Sequence, residues 1–391
     1  MNAPVQLPFE QTRLLQVAPQ LRELLSQGII HRVRTAVGDD AWLVTGYDHV
    51  RDLLNDERLG RSHPHPEAAA RTGESALFGG PLGEFATEHA DHARMRALLQ
   101  PHFSPKRLQH LRARVEALTT GLLDELAEHG PPADLHTMLA EPLPILVICE
   151  LLGVPYEDRD QFRTWTQEAG NITDRTRSEQ GLTELFSYGM GLVAHKRRQP
   201  DDDVISRLCA TDGVSDVEAA GMSMALLFAG HETTVVQIGL GALLLLTTPG
   251  QWQALHDNPR LLRTAIEEIL RAPGKGGAGI PRYARTDFQI QGAAIRAGDL
   301  VLLDNGAANH DPTAFTDPDR VDITRRAPAH LSFGHGMRYC IGAPLARIEL
   351  HTVFAHLIPK FPNMRLATRI EELHTRHDVL TGGLAELPVT W

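Results

Sequence analysis

Cysteine is scarce in this chain. Cys149, Cys209 and Cys340 are the three in 391 residues, too few for a disulfide framework and in keeping with a reducing cytoplasm. Basic charge is also short. The 38 Lys and Arg stand against 49 Asp and Glu, a net charge of −11, which argues against nucleic acid as a partner because phosphate binding needs a basic surface. The longest nearly apolar stretch, residues 235–246, is interrupted by Gln237 and falls short of the roughly 20 residues that span a bilayer. No membrane association is expected. The first residues lack a basic flank followed by an apolar stretch, so no signal peptide is read. No repeat and no Gly/Ser or Pro linker divides the chain. With 42% apolar and 22% charged residues, a large core can be buried and wholesale disorder is excluded.

Short β elements are expected near the start, where residues 33–47 alternate apolar and polar around a Gly-Asp turn and read as a hairpin in a β-rich part over 30–60. Helical periodicity dominates from residue 91 onward, over 91–127, 141–152, 180–197, 216–247, 251–271 and 342–358. Strand-like runs at Phe288–Ile290 and Leu300–Leu303 lie between the last two, and residues 304–332 form a long irregular segment. The expectation is a mainly α single domain over 1–391 with small β-sheets and a helical core over 91–271 and 342–358.

The sharpest chemical feature is FGHGMRYCIGAPLAR, Phe333–Arg347. Cys340 precedes a helix expected to begin near Gly342–Ala343, whose dipole and free N–H groups favour thiolate over thiol. Gly336 and Gly342 let the backbone pass close to something flat and bulky, Phe333 and Pro344 supply apolar cover, and Arg338 places a cation two residues from the sulfur. No second Cys or CxxC lies nearby to complete a structural zinc site. An axial thiolate to haem iron is the simplest use of these parts; the alternative is a buried cysteine acting as a small hydrophobe.

A second group, Phe228-Ala229-Gly230-His231-Glu232-Thr233-Thr234, interrupts an apolar helix with a glycine, an acid and hydroxyls. The glycine alone costs roughly 1 kcal/mol. Thr233 can bond the carbonyl of Ala229, four residues back, and with Gly230 open or kink the helix. That would leave an acid–alcohol pair able to hold water and relay protons, or merely a kink beside a solvated Glu. Third, Glu268 and Arg271 lie three apart on one helix face, by themselves a pair of little weight.

FGHGMRYCIG resembles the haem-binding loop of the cytochrome P-450 superfamily, F-x-x-G-x-[R/H]-x-C-x-G, at Phe333, Gly336, Arg338, Cys340 and Gly342. Further motifs follow the family's order over residues 92–347. AGHETT is similar to the [A/G]-G-x-[D/E]-T-[T/S] segment, which makes Thr233 the dioxygen-side threonine and Glu232 its acid partner. His231 falls at the variable position and receives no role. Glu268-x-x-Arg271 matches E-x-x-R, and Pro318-Asp319-Arg320-Val321 matches the segment that supplies the third member of that structural network. His92 and Arg96 match the H-x-x-x-R pair that binds haem propionates; Arg282 and Arg338 fall at two further propionate positions. The mid-chain stretch 141–155, the length and the missing membrane anchor resemble soluble bacterial members.

The resemblance implies the cytochrome P-450 fold, haem b (iron protoporphyrin IX) on Cys340 in the loop 333–342, and a cytoplasmic monooxygenase. Such an enzyme inserts one oxygen atom from dioxygen into a largely apolar small molecule, by hydroxylation or epoxidation. No flavin or nicotinamide fingerprint is found, so a ferredoxin with its reductase is the expected electron supply. Arg94, Lys106, Arg107, Arg112 and Arg114 could form a docking patch, or an ordinary helix surface. Met224, Ala225, Phe228, Ala229 and Ile280 are expected in the substrate pocket. Residues 272–281 hold four glycines and no bulky residue before Ile280, which predicts room for a large secondary metabolite such as a macrolide or other polyketide. A phenol-coupling or multi-step oxidase would share this sequence pattern. A peroxygenase or a haem sensor would not need Glu232 and Thr233.

Overall fold

The structure, a computed structural model, describes residues 4–273, 279–326 and 328–391. In chain order come β1 (Val5–Gln6), α1 (Pro19–Gln27), β2 (Ile30–Arg34), β3 (Asp40–Val44), α2 (Tyr47–Leu54) and β4 (Leu59–Gly60). Next are α3 (Glu88–Leu99), α4 (Pro105–His129), β5 (Ala133–Asp134), α5 (Pro142–Leu152), α6 (Arg159–Ala169), α7 (Arg175–Arg198), α8 (Val204–Ala210) and α9 (Asp216–Thr247). The remainder is α10 (Gln251–Asp257), α11 (Leu262–Arg271), β6 (Ile280–Ala284), β7 (Phe288–Ile290), β8 (Ala293–Ile295), β9 (Leu300–Leu303), α12 (Asn305–Ala308), α13 (Ala343–Lys360), β10 (Arg365–Leu366) and β11 (Pro388–Thr390). The mainly α architecture with small sheets is the expected one.

Proline splits two of the expected helices. The pattern over 91–127 becomes α3 and α4, separated by a 3-10 turn at Gln100–Phe103. Pro101 and Pro105 lack the N–H that a continuing helix would need. Likewise Pro259 separates α10 from α11.

The described chain condenses into two compact units, one running up to His92 and resuming over Arg263–Cys340, the other holding Ala93–Leu262 and Ile341–Trp391. Each is discontinuous in sequence, so no linker sets either apart. The first is built on a six-stranded sheet of order β1-β2-β3-β9-β6-β4. The expected hairpin is β2 and β3, antiparallel with Ile30 opposite Val44 and Arg34 opposite Asp40. Strand β9 reads Leu-Val-Leu-Leu because both its faces are buried. Leu300 and Leu302 pack with Leu21 and Leu24 of α1 on one side, while Val301 and Leu303 pack with Val50 and Leu53 of α2 on the other.

The second unit is organised around α9. The Ser215 hydroxyl accepts from the Glu218 N–H at 3.2 Å to cap the helix, and Asp216 and Glu218 complement the dipole in its first turn. It packs on α5 and α7. Among the described residues α9 is the one helix long and apolar enough to cross a membrane; most of its apolar window is buried inside the protein, as in a core helix. The helix runs unbroken through Gly230. The glycine serves packing: a Cβ there would lie 2.8 Å from Ile148 Cδ1 of α5.

Candidate active site

The loop that carries Cys340 is closed by its own backbone. The Cys340 N–H donates to the Phe333 carbonyl at 2.8 Å, and the thiol is exposed and outside any disulfide. A buried, inert cysteine is therefore not what the fold builds here. Cys149 and Cys209 are the buried ones, and burial pushes Cys149 up to about 12. Gly336 is required for a more local reason than the expected flat neighbour. Its φ is +69°, and a Cβ would sit 1.9 Å from Asn55 Oδ1, the atom that accepts the Met337 N–H at 3.0 Å. Gly342 has an ordinary helical φ of −80° and occupies the N-cap of α13. Phe333 packs edge-on to Tyr339 and against His330.

Beneath this loop lies a buried ion cluster. Glu268 receives Arg271 on both oxygens, at 2.7 and 2.8 Å. The expected third member, Arg320, is not in it. Arg320 is exposed and pairs with Asp317 and Asp322 instead. Arg325 takes the position, donating to Glu268 at 3.1 and 3.2 Å while its other nitrogens bind the carbonyls of Thr316, Asp317 and Arg320. From Arg271 the network continues to the Asn309 carbonyl at 2.8 Å. The Asn309 side chain accepts the Leu331 N–H at 2.7 Å, and the Ser332 hydroxyl donates to the Leu270 carbonyl at 2.7 Å. The network thus pins the residues that lead into the cysteine loop.

A second cluster surrounds Glu88, which sequence reasoning missed. From the first turn of α3 its buried carboxylate accepts the N–H groups of Arg61 and Ser62 at 2.7 and 3.0 Å, and also the Ser62 hydroxyl. It pairs with Arg338 and, at 3.3 Å, with Arg285. Burial alone would raise its pKa, but bonds from Ser62 and Arg61 and the charge of Arg338 hold it below the ordinary value. Arg282 lies in the same electrostatic neighbourhood. Burial first, then Arg61 and Arg338, push it down to about 9, and its hydrogen bond to a carbonyl is to the adjacent Pro281, at 2.8 Å. The guanidiniums of Arg285 and Arg338 pair with this carboxylate, and those of Arg61 and Arg282 lie within its field. His92 and Arg96 follow Glu88 at four-residue spacing on α3, both half-buried.

On α9 the structure separates the expected residues. Ala225, Ala229 and Thr233 are exposed, one turn apart along a single stripe. The Thr233 hydroxyl donates to the Ala229 carbonyl at 2.9 Å, as expected. Met224 and Phe228 are buried inside the unit. Met224 lies against Gly189 of α7, and Phe228 lies beside Gly170. They face the interior of the unit, whereas Ala225 and Ala229 lie on the exposed stripe. Glu232 is also buried, and burial raises its pKa, with Arg376 pulling the other way. Ile280 is half-buried in β6 opposite Leu303. The glycine-rich stretch expected to widen the pocket falls largely on 274–278, outside the described residues. Of the five cations expected to form a docking patch, Arg94, Arg107 and Arg114 are already paired with Glu218, Asp202 and Glu150.

The family model described as Cytochrome P450 matches residues 192–371. Pentalenolactone synthase of Streptomyces exfoliatus is 45% identical over 401 residues, with all of both chains covered. Mycinamicin IV hydroxylase/epoxidase of Micromonospora griseorubida is 37% identical over 395 residues, 99% of each chain. Among solved structures, the substrate-free cytochrome P450 PimD, a polyene macrolide antibiotic pimaricin epoxidase, matches with a TM-score of 0.89 at 38% identity over all of both chains.

Proposed function

The chain belongs to the cytochrome P450 family, and on that footing we propose that Cys340 is the thiolate that holds its haem. As a family member it is a haem-dependent monooxygenase. The observation that carries the site assignment is the charge surplus around Glu88. Four guanidiniums, Arg282 buried and Arg61, Arg285 and Arg338 half-buried, against one buried carboxylate call for anions, and the two propionates of haem b supply them. The donor set therefore fits the group. Arg282 and Arg338 are assigned to the propionates, with His92 and Arg96 on α3, and Arg61 and Arg285 add to the field. Phe333, Gly336 and Gly342 shape the loop, while Glu268, Arg271 and Arg325 hold it from below.

When bound, a haem with a thiolate ligand supplies the cleavage of dioxygen and the insertion of one oxygen atom. The chain's own contribution is the control of protons and position. Thr233 presents its hydroxyl oxygen on the open stripe of α9 while its hydrogen is turned to the Ala229 carbonyl. That oxygen can accept a hydrogen bond from a water. Glu232, one residue earlier, is the acid that resupplies it.

The substrate assigned is a bulky, largely apolar macrolide or other polyketide, oxidised by hydroxylation or epoxidation. Two features support this: the small residues Ala225 and Ala229 on the open stripe, and relatives named for mycinamicin IV and pimaricin. Electrons are assigned to a ferredoxin and its reductase. A cytoplasmic location accords with three thiols and no disulfide among the described residues. The test is an absorbance titration of the ferric enzyme. A saturable low-to-high-spin shift with macrolides supports the reading; a shift with pentalenolactone precursors and none with macrolides rejects the substrate class.

A further inference from the structure

Glu232 points away from the open stripe of α9. Its carboxyl is turned into the unit, where Oε2 lies 3.8 Å from Arg376 Nη1. Arg376 comes from the segment 374–385, which folds back on itself through a bridge between Thr375 and Leu384. The Arg376 N–H donates to the Gly383 carbonyl at 2.9 Å, and the Ala385 N–H to the His374 carbonyl at 2.9 Å. The hairpin rests on α9, since a Cβ on Gly383 would come 2.8 Å from Val236. Its tip is tied to the α6–α7 connection, with Leu380 N–H on the Gly170 carbonyl and Ile172 N–H on the Asp378 carbonyl, both at 3.0 Å. Backbone bonds on two sides and packing on α9 therefore fix where this guanidinium starts. With 23% of its side chain exposed against 7% for Glu232, it reaches from solvent to the buried acid.

The other groups facing Glu232 are few. His231 Nδ1 lies 3.8 Å from Oε1, and Glu141 and Asp378 act on it from α5's start and the hairpin. His136 feels Arg376, and Arg163 pairs with Glu141 at 3.2 Å. Burial holds His231 down to about 4, so it is neutral at physiological pH. Burial pushes Glu232 up, and the charge of Arg376 is the leading influence that lowers it again.

We propose that Arg376 is a positioning residue for Glu232, favouring its ionised form and drawing the carboxyl to the hairpin side of α9, where it collects protons from solvent for Thr233. This rests on the reading of Glu232 and Thr233 as the proton-delivering pair.

The test is an infrared titration of the haem-loaded enzyme with 13C-labelled glutamate, the Glu232 band being assigned by its loss in Glu232→Gln. Arg376→Gln should raise the titration midpoint by about 1–3 pH units, the usual reach of an opposite charge at this distance. Arg376→Lys should return most of it. The pH dependence of coupling, product formed per electron pair, should move the same way. Should the Gln variant fail to hold haem, Arg376→Met keeps the packed stem and removes only the charge. An unmoved midpoint overturns the proposal. Unchanged coupling in both Glu232→Gln and Thr233→Ala would instead overturn the proton-delivering pair, and the proposal with it, even with the midpoint moved.

Discussion

Arg325 lies across both oxygens of Glu268, with its Nε 3.1 Å from one and 3.2 Å from the other. The carboxylate is buried at 2% exposure and is already engaged by Arg271. Two guanidiniums thus sit on one carboxylate, and the second of them draws its remaining nitrogens onto three carbonyls of the preceding loop. Local pairing within α11 is thereby converted into a tie that reaches residues 316–325.

Removing Arg325 should therefore cost far more than removing Arg320. Breaking one partner of a buried pair typically costs about 3–5 kcal/mol, so Arg325→Ala should shift the urea midpoint strongly. Arg320, exposed and paired with surface aspartates, should stay within about 1 kcal/mol when changed to Ala. Equal costs would return Arg320 to the network.

The contrast shows what was readable in the sequence. Glu268 and Arg271 are three apart on one helix, and such local pairs are written in spacing. Their third partner comes from a segment 57 residues away with arginines at 320, 325 and 326, and only the tertiary fold chooses among them. Glu88 left no mark at all, because an acid in the first turn of a polar helix is ordinary. Helix geometry divides the residues expected in the pocket: Ala225, Ala229 and Thr233 share a stripe at four-residue spacing, whereas Met224 and Phe228 belong to the neighbouring, buried one. Gly230 was legible as a costly residue, but its reason, contact with Ile148, lies in another helix.

Glu349 offers a pH test of the core. Its carboxyl is buried in α13, and burial raises its pKa well above the ordinary value of 4.5; Oε2 makes no hydrogen bond. The folded chain thus keeps this proton at pH values where the unfolded chain has lost it. Its contribution is complete below the unfolded value and declines as pH rises, by about 1.4 kcal/mol per unit, until the folded group ionises too. Glu349→Gln should remove that decline, so its stability relative to the parent should grow as the pH is raised above 5 in urea titrations. A constant difference across that range would contradict a neutral Glu349.

The open stripe of α9 predicts selective effects on ligand size. Ala229→Leu fills it and should weaken binding of a bulky ligand by about tenfold or more, the equivalent of modest overpacking. Met224→Ala should leave that affinity nearly unchanged and instead cost about 2–4 kcal/mol of stability through a cavity against Gly189. Spectral titration and urea unfolding of the two variants separate these outcomes, and the opposite pattern would place Met224 in the pocket.

The ferrous–carbon monoxide absorbance spectrum of the parent enzyme beside Cys340→Ala tests the central assignment most directly. The account predicts a red-shifted, thiolate-type Soret band in the parent and its complete loss in the variant. The same thiolate-type band in Cys340→Ala would contradict it, and with it the role given to the loop from Phe333 to Gly342.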